Sequence, residues 1–164
     1  MITIGVLGED DRAAWEVLAR GYKEFYGTPT TDEQYQTTWR QLMAGTEFHA
    51  LGARLNGDLV GITHYFFHPF IWYGQACYLQ DLFTAEAARG QGAARALIEA
   101  VAAEARNRNA TRLYWMTKKD NARARLLYDK LASFGGFIRY DYSLLSSRAA
   151  AASTPAMNTS TPTW

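Results

Sequence analysis

The sequence predicts a single α/β domain: a mixed β-sheet with helices on both faces, followed by a short tail. Three observations carry that expectation. The chain has 164 residues, 48% of them apolar, a length and composition that suit one globular domain burying roughly 70% of its unfolded surface. Strand-like and helix-like hydrophobic periodicities alternate through residues 1–145, and the remainder has neither. Their order is helices first, then a hairpin, then strand–helix–strand–helix–strand, which mixes antiparallel and crossover connections.

Ile2–Val6 reads as a short strand. A helix is expected over Glu9–Tyr26, opened by Glu9, Asp10 and Asp11, whose charges suit a helix N-terminus. Trp15, Leu18, Ala19, Tyr22, Phe25 and Tyr26 keep the three-to-four spacing of a buried stripe. Gly27-Thr28-Pro29 ends it. Thr31–Met43 follows as a helix, with Thr31-Asp32-Glu33-Gln34 as a capping box. Phe48–Leu55 and Leu59–Phe67 flank Asn56-Gly57, a strong hairpin signal. Cys77–Phe83 is a strand, and Gln91–Arg106 a helix with an inward stripe from Ala93 and Leu97 to Val101 and Ala105. Arg112–Thr117 is a strand, Ala122–Leu131 a helix and Phe137–Leu144 a last strand. Residues 146–164 are mostly Ala, Ser, Thr and Pro with Arg148 as the sole charge; this stretch is expected to be a flexible tail.

Composition excludes several classes of function. Lys and Arg number 17 against 16 Asp and Glu, a net charge of +1, so no field of one sign recruits nucleic acid or an anionic membrane. One cysteine forms no internal disulfide. No apolar run approaches the ~20 residues that span a bilayer, and Met1–Gly5 lacks the basic start of a secretory signal. A cytoplasmic enzyme or binding domain is the expectation.

The most informative stretch is Asp81-Leu82-Phe83-Thr84 followed by Arg89-Gly90-Gln91-Gly92-Ala93-Ala94-Arg95. A strand ends, a small-residue turn follows, and a strong helix begins. Gly90 and Gly92 allow close approach of a ligand to the backbone, while Ala93 and Ala94 keep the first helical turn bare. The free amides of that turn and the helix dipole then face an anion, and Arg89 adds positive charge. A P-loop is excluded because Gly-Lys-Ser/Thr is missing. A dinucleotide fingerprint is excluded because Arg95 stands where a third small residue belongs.

Arg89-Gly90-Gln91-Gly92-Ala93-Ala94 resembles the Arg/Gln-x-x-Gly-x-Gly/Ala signature of the GNAT superfamily of N-acetyltransferases. Tyr78-Leu79-Gln80-Asp81-Leu82-Phe83 looks like the strand before that signature, most closely in the polyamine and histone-type branch. Asn121-Ala122-Arg123-Ala124-Arg125-Leu126-Leu127-Tyr128 looks like the downstream Asn-x-x-Ala-x-x-Leu-Tyr block. Three blocks in family order, over residues 1–145, imply the family's mostly antiparallel sheet. They imply acetyl-CoA as donor and an amine as acceptor. By the same resemblance, the pyrophosphate sits on the amides of Gln91–Arg95, with Arg89 and Gly90 beside it. The pantetheine arm pairs with the backbone of Leu82, Phe83 and Thr84, and Asn121, Arg123 and Ala124 touch the cofactor from the far side. Homodimers are common in that family.

Acetyl transfer needs a deprotonated amine, a donor for the oxyanion and a proton for the departing thiolate. Asn121, Ala124 and Tyr128 share one helical face, and the resemblance makes Tyr128 the acid. Strict strand alternation puts Cys77, Leu79, Asp81 and Phe83 on one face. A carboxylate among apolar neighbours has a raised pKa, which makes Asp81 the candidate base. Related polyamine enzymes carry Glu where this chain has Gln80, and an amide accepts no proton. Either Asp81 acts, water carries the proton away, or the acceptor is not a polyamine. Trp39, His68, Trp72, Tyr73, Tyr114 and Trp115 are aromatic candidates for a cationic acceptor, with Trp115, Gln80 and Asp81 chosen as acceptor-side residues. A metal site from His49, His64 and His68 is not expected for want of zinc-like spacing, and Cys77 reads as core rather than as a nucleophile backed by His64 and Asp81. The preferred reading is a small-amine N-acetyltransferase, with a polyamine-like or amino-acid-like acceptor. A protein-amine acetyltransferase, a non-catalytic acyl-CoA-binding module and an interaction protein remain as alternatives.

Overall fold

The computed structural model describes residues 1–144; the expected tail at 146–164 lies outside them. Five strands form one sheet in the order β1 (Ile2–Val6), β2 (Phe48–Leu55), β3 (Asp58–Phe70), β4 (Gly74–Thr84), β5 (Arg112–Tyr114). The first four pair antiparallel, and β5 joins β4 in parallel. Asn56 and Gly57 turn the β2–β3 hairpin with φ of 54° and 99°, the positive pair that a two-residue turn of this hand requires.

Helices α1 (Arg12–Tyr26) and α2 (Asp32–Ala44) cover one face of the sheet, and α3 (Ala93–Asn107) and α4 (Ala122–Leu131) the other. A 3₁₀ turn over Glu9–Asp11 precedes α1. The capping box of α2 forms as expected, with the Gln34 amide donating to Thr31 Oγ1 and the Thr31 amide donating to Gln34 Oε1. On the first face Trp15, Leu18 and Ala19 of α1 pack with Tyr35, Trp39 and Leu42 of α2 over Ile62. On the second, Leu97, Ile98, Val101 and Ala105 of α3 pack on Leu51, Ala53, Tyr65, Cys77 and Leu79. Each such Leu, Ile or Val, fully buried, stabilises the fold by about 1.5–3 kcal/mol. Gly21 sets how closely α1 lies on β4, because a Cβ there would stand 2.8 Å from the Phe83 ring.

The structure departs from the sequence reading in several places: α1 starts at Arg12 rather than Glu9, and β3 and β4 meet in a longer hairpin that reaches Phe70 and Gly74. Helix α3 starts at Ala93 rather than Gln91, since Gly92 takes a left-handed φ of 87° as its N-cap. Strand β5 stops at Tyr114 instead of Thr117. Phe137–Leu144 forms no strand. Its alternating Ile138, Tyr140, Tyr142 and Leu144 are exposed, because a strand-like period becomes a strand only when a neighbour supplies the hydrogen bonds.

Candidate active site

The turn after β4 is shaped as an anion cradle. Gly90 and Gly92 have φ of 81° and 87°, and nothing lies within 4 Å of where their Cβ atoms would stand. The backbone is therefore open on that side, and the first amides of α3 face it without intrahelical partners. Side chains of the signature turn away. Arg89 pairs with Glu86 at 3.1 Å, Gln91 Nε2 donates to the Ala87 carbonyl at 3.3 Å, and Arg95 pairs with Glu99 at 3.2 Å. Main-chain donors, more than the Arg89 charge, define the cradle.

Beside it the sheet opens. Pairing of β4 with β5 ends at Tyr78 and Tyr114, so among the described residues no strand covers that edge of β4 from Leu79 to Thr84. Leu82, Phe83 and Thr84 thus keep a free edge of backbone leading into the cradle. Trp115 and Tyr128 pack against the α3-side core that includes Leu79, their rings 5.4 Å apart. Burial pushes the Tyr128 hydroxyl up to about 12, so it holds its proton at any physiological pH. Asn121 stands at the N-cap of α4, where its side-chain amide donates to Thr117 Oγ1 at 3.0 Å. Asn121 and Arg123 line a shallow cleft with Phe25 and Lys118, and Ala124 follows on α4 one turn before Tyr128.

The acceptor side differs from expectation because of one residue. His64 pairs with Asp81, but the next residue, Tyr65, pairs with Leu79. Gln80 is the extra residue of a β-bulge, half of a two-against-one step that reverses the facing of everything after it. Cys77 and Leu79 accordingly face α3, and Leu82 packs there too, whereas Asp81 and Phe83 face α1 and α2. The alternation expected from the sequence holds on either side of Gln80 and breaks across it. Buried Thr63 donates its hydroxyl to the Asp81 carbonyl at 2.8 Å, tying the strand beside the bulge.

Asp81 belongs to a chain of hydrogen bonds. Trp15 Nε1 donates to His64 Nε2 at 2.9 Å, and His64 Nδ1 lies 2.8 Å from Asp81 Oδ2. An indole N–H only donates, so His64 Nε2 must accept and the ring proton resides on Nδ1, directed at the carboxylate. Burial alone pushes the Asp81 carboxyl up. The bond from His64, the facing Tyr22 hydroxyl and the charge of Lys23 outweigh that push and hold it below the ordinary carboxylate range. The expected raised value is therefore corrected: Asp81 is a fixed anion. Tyr22 responds in the opposite sense, its hydroxyl pushed up by burial and by the Asp81 charge.

The other candidates scatter. Trp39 is core, 5.0 Å from Trp15. Trp72 and Tyr73 are exposed at the β3–β4 turn. Tyr114 and His68 hydrogen-bond each other at 3.0 Å beyond the opening. Cys77 is separated from His64 and Asp81 by the sheet, and burial pushes its thiol up to about 11. Sequence reasoning missed Tyr22 and Lys23 as partners of Asp81, and Trp15 as the donor that orients His64. No local signal marks them, since α1 and β3 meet β4 only in the folded chain.

A free strand edge of β4 thus leads to an amide-lined turn at the start of α3. Residues 13–134 match the acetyltransferase (GNAT) family, and the chain belongs to it. It is an N-acetyltransferase. Over 135 residues it is 33% identical to the D-amino-acid N-acetyltransferase HPA3 of Saccharomyces cerevisiae, spanning 80% of this chain and 84% of that protein. The fold also matches the ribosomal-protein-alanine N-acetyltransferase of Brucella melitensis biovar Abortus 2308 at 23% identity and a TM-score of 0.74, over 88% of this chain and all of that one. The aminoglycoside acetyltransferase AAC(6')-Iy, solved with the bisubstrate analog CoA-S-monomethyl-acetylneamine, matches at 14% identity and a TM-score of 0.77. That likeness, over 88% of this chain and 99% of the other, is one of fold. Among the described residues no helix is long and apolar enough to cross a membrane.

Proposed function

We propose that the protein moves the acetyl group of acetyl-CoA to the primary amine of a small, polyamine-like or amino-acid-like molecule, by direct attack with both substrates bound. The observation that supports this most is the uncovered edge of β4 running from Leu79 to Thr84 into a cradle with room at Gly90 and Gly92. Acetyl-CoA, when bound, supplies the activated thioester.

The chain's own residues supply the rest. Amides of Gln91–Arg95 hold the pyrophosphate, with Gly90 giving access and Arg89 adding charge nearby. The backbone of Leu82, Phe83 and Thr84 aligns the extended arm as an added strand would. Asn121, Arg123 and Ala124 border the same arm from α4. Tyr128 keeps a proton on its hydroxyl oxygen for the departing sulfur. Asp81 participates as an anion that gathers and orients the acceptor's ammonium, and the amine proton leaves to water, because Asp81 is held below the ordinary carboxylate range and the Gln80 amide accepts no proton. Gln80, at the exposed bulge, and Trp115, against Tyr128, border the acceptor's path. The compartment proposed is the cytoplasm. The exposed row Phe137, Ile138, Tyr140, Tyr142 and Leu144 supports a homodimer, since so much uncovered apolar surface is uncommon on a monomer.

The test is CoA release from acetyl-CoA against polyamines, amino acids, aminoglycosides and a basic peptide. Turnover with one small-amine class is the expected result. Turnover with the peptide alone would favour a protein acceptor. Silence throughout, despite a thermal shift with CoA, would leave only a binding module.

A further inference from the structure

Strand β5 holds β4 by only three residue pairs, Ala76 with Arg112, Cys77 with Leu113 and Tyr78 with Tyr114. Side chains tie it at both ends. At its start the Thr111 hydroxyl donates to the Tyr73 carbonyl at 3.0 Å. At its end the Tyr114 hydroxyl meets His68 Nε2 at 3.0 Å, although β4 lies between their two strands. His68 Nδ1 stands 2.8 Å from the Pro69 carbonyl. A carbonyl only accepts, so Nδ1 carries the ring proton and Nε2 accepts from Tyr114. Rings back the bond, with Tyr114 5.0 Å from Tyr78 and 5.8 Å from His68.

Tyr114 is the last paired residue of β5, and the residue after it turns to the opposite face of the sheet. That residue is Trp115, whose ring packs on Tyr128 on the α3 side. Where the pairing of β4 and β5 stops, one residue is therefore tied to β3 and the next sets a ring against the proposed acid. We infer that His68 is a positioning residue for acetyl transfer: by accepting the Tyr114 hydroxyl it fixes the end of β5, and through Trp115 it holds the Tyr128 ring in place. This rests on the reading of Tyr128 as the acid and deepens it. Three ladder pairs leave a strand end prone to local opening, and a side-chain tie at the last pair opposes that. Tyr114 is 36% exposed, so water satisfies its hydroxyl once His68 is gone. Loss of the tie therefore changes position far more than stability.

The test compares His68→Leu, Tyr114→Phe and the double variant in the full chain. Each single change should lower kcat by about tenfold or more, the scale of a misplaced reacting group, with the thermal midpoint and calorimetric CoA affinity little changed. The double variant should be no slower than either single one, because both remove the same bond. His68→Gln, whose side-chain oxygen can accept from Tyr114, should restore most of the rate. In nitrogen-15 spectra the Trp115 indole N–H, on the face of the sheet away from His68, should shift in His68→Leu and return in His68→Gln. Wild-type kcat in His68→Leu, losses that add in the double variant, or a loss confined to KM would each overturn the proposal. If Tyr128→Phe turns over like the wild type, or no acceptor turns over at all, the transfer reading fails by itself. The Trp115 resonance then decides the tie: a shift that Gln reverses supports it, and an unmoved resonance sinks it.

Discussion

The cradle around Gly92 and the pocket around Asp81 are joined by one strand, β4, yet they are built in opposite ways. The cradle is a continuous stretch of chain whose donors are main-chain amides. It needs small residues and a left-handed N-cap, and its side chains turn outward to Glu86, Ala87 and Glu99. The pocket takes a few side chains from each of α1, α2, β3 and β4, and its chemistry depends on which atoms those side chains present. An anion cradle made of backbone is insensitive to most substitutions. A pocket made of side chains can be retuned by a single exchange.

Three measurements sharpen that contrast. The largest effect is expected at Tyr128, which packs on the α3-side core beside Trp115. Tyr128→Phe should lower kcat by about 10²-fold or more, the usual scale for a lost general acid, with CoA affinity little changed. Because burial pushes the hydroxyl up to about 12, the wild-type rate should show no falling limb from this group below pH 10. A variant with wild-type turnover would hand the acid role to water.

In the cradle, Gly92→Glu should weaken CoA binding by about a hundredfold, or about 2.7 kcal/mol, by placing a strained, negative side chain where the helix dipole favours an anion. Titration calorimetry reads the loss, and circular dichroism confirms the fold. Unchanged affinity would remove the cradle assignment.

The smallest effect lies behind the pocket. Asp81→Asn leaves the His64 Nδ1 donor poorly answered and should cost about 1–3 kcal/mol of stability at neutral pH. The folded carboxyl is held below its usual range, so its stabilisation is complete above the unfolded value of about 3.9 and is lost as pH falls through the folded one. Urea melts of the two proteins should therefore differ most at neutral pH and converge below about pH 4. A gap that opened instead between pH 5 and 7 would restore the raised carboxyl that the sequence suggested.

The sequence by itself determined the parts whose causes are local. Asn56-Gly57 dictates its turn, Thr31 and Gln34 their cap, and the Ala-rich stripe its helix. Gly90, Gly92 and the bare first turn of α3 specify a cradle that any folded context presents. What only the tertiary structure decided is pairing and facing. Whether Phe137–Leu144 becomes a strand depends on a neighbour rather than on its own alternation. Whether Asp81 faces α1 or α3 depends on one unpaired residue, Gln80, since a period of two carries no memory across a bulge. The pKa of Asp81 then follows from that facing, because Trp15, Tyr22 and Lys23 lie more than fifty residues away along the chain and act on it only across a few ångströms of packed protein.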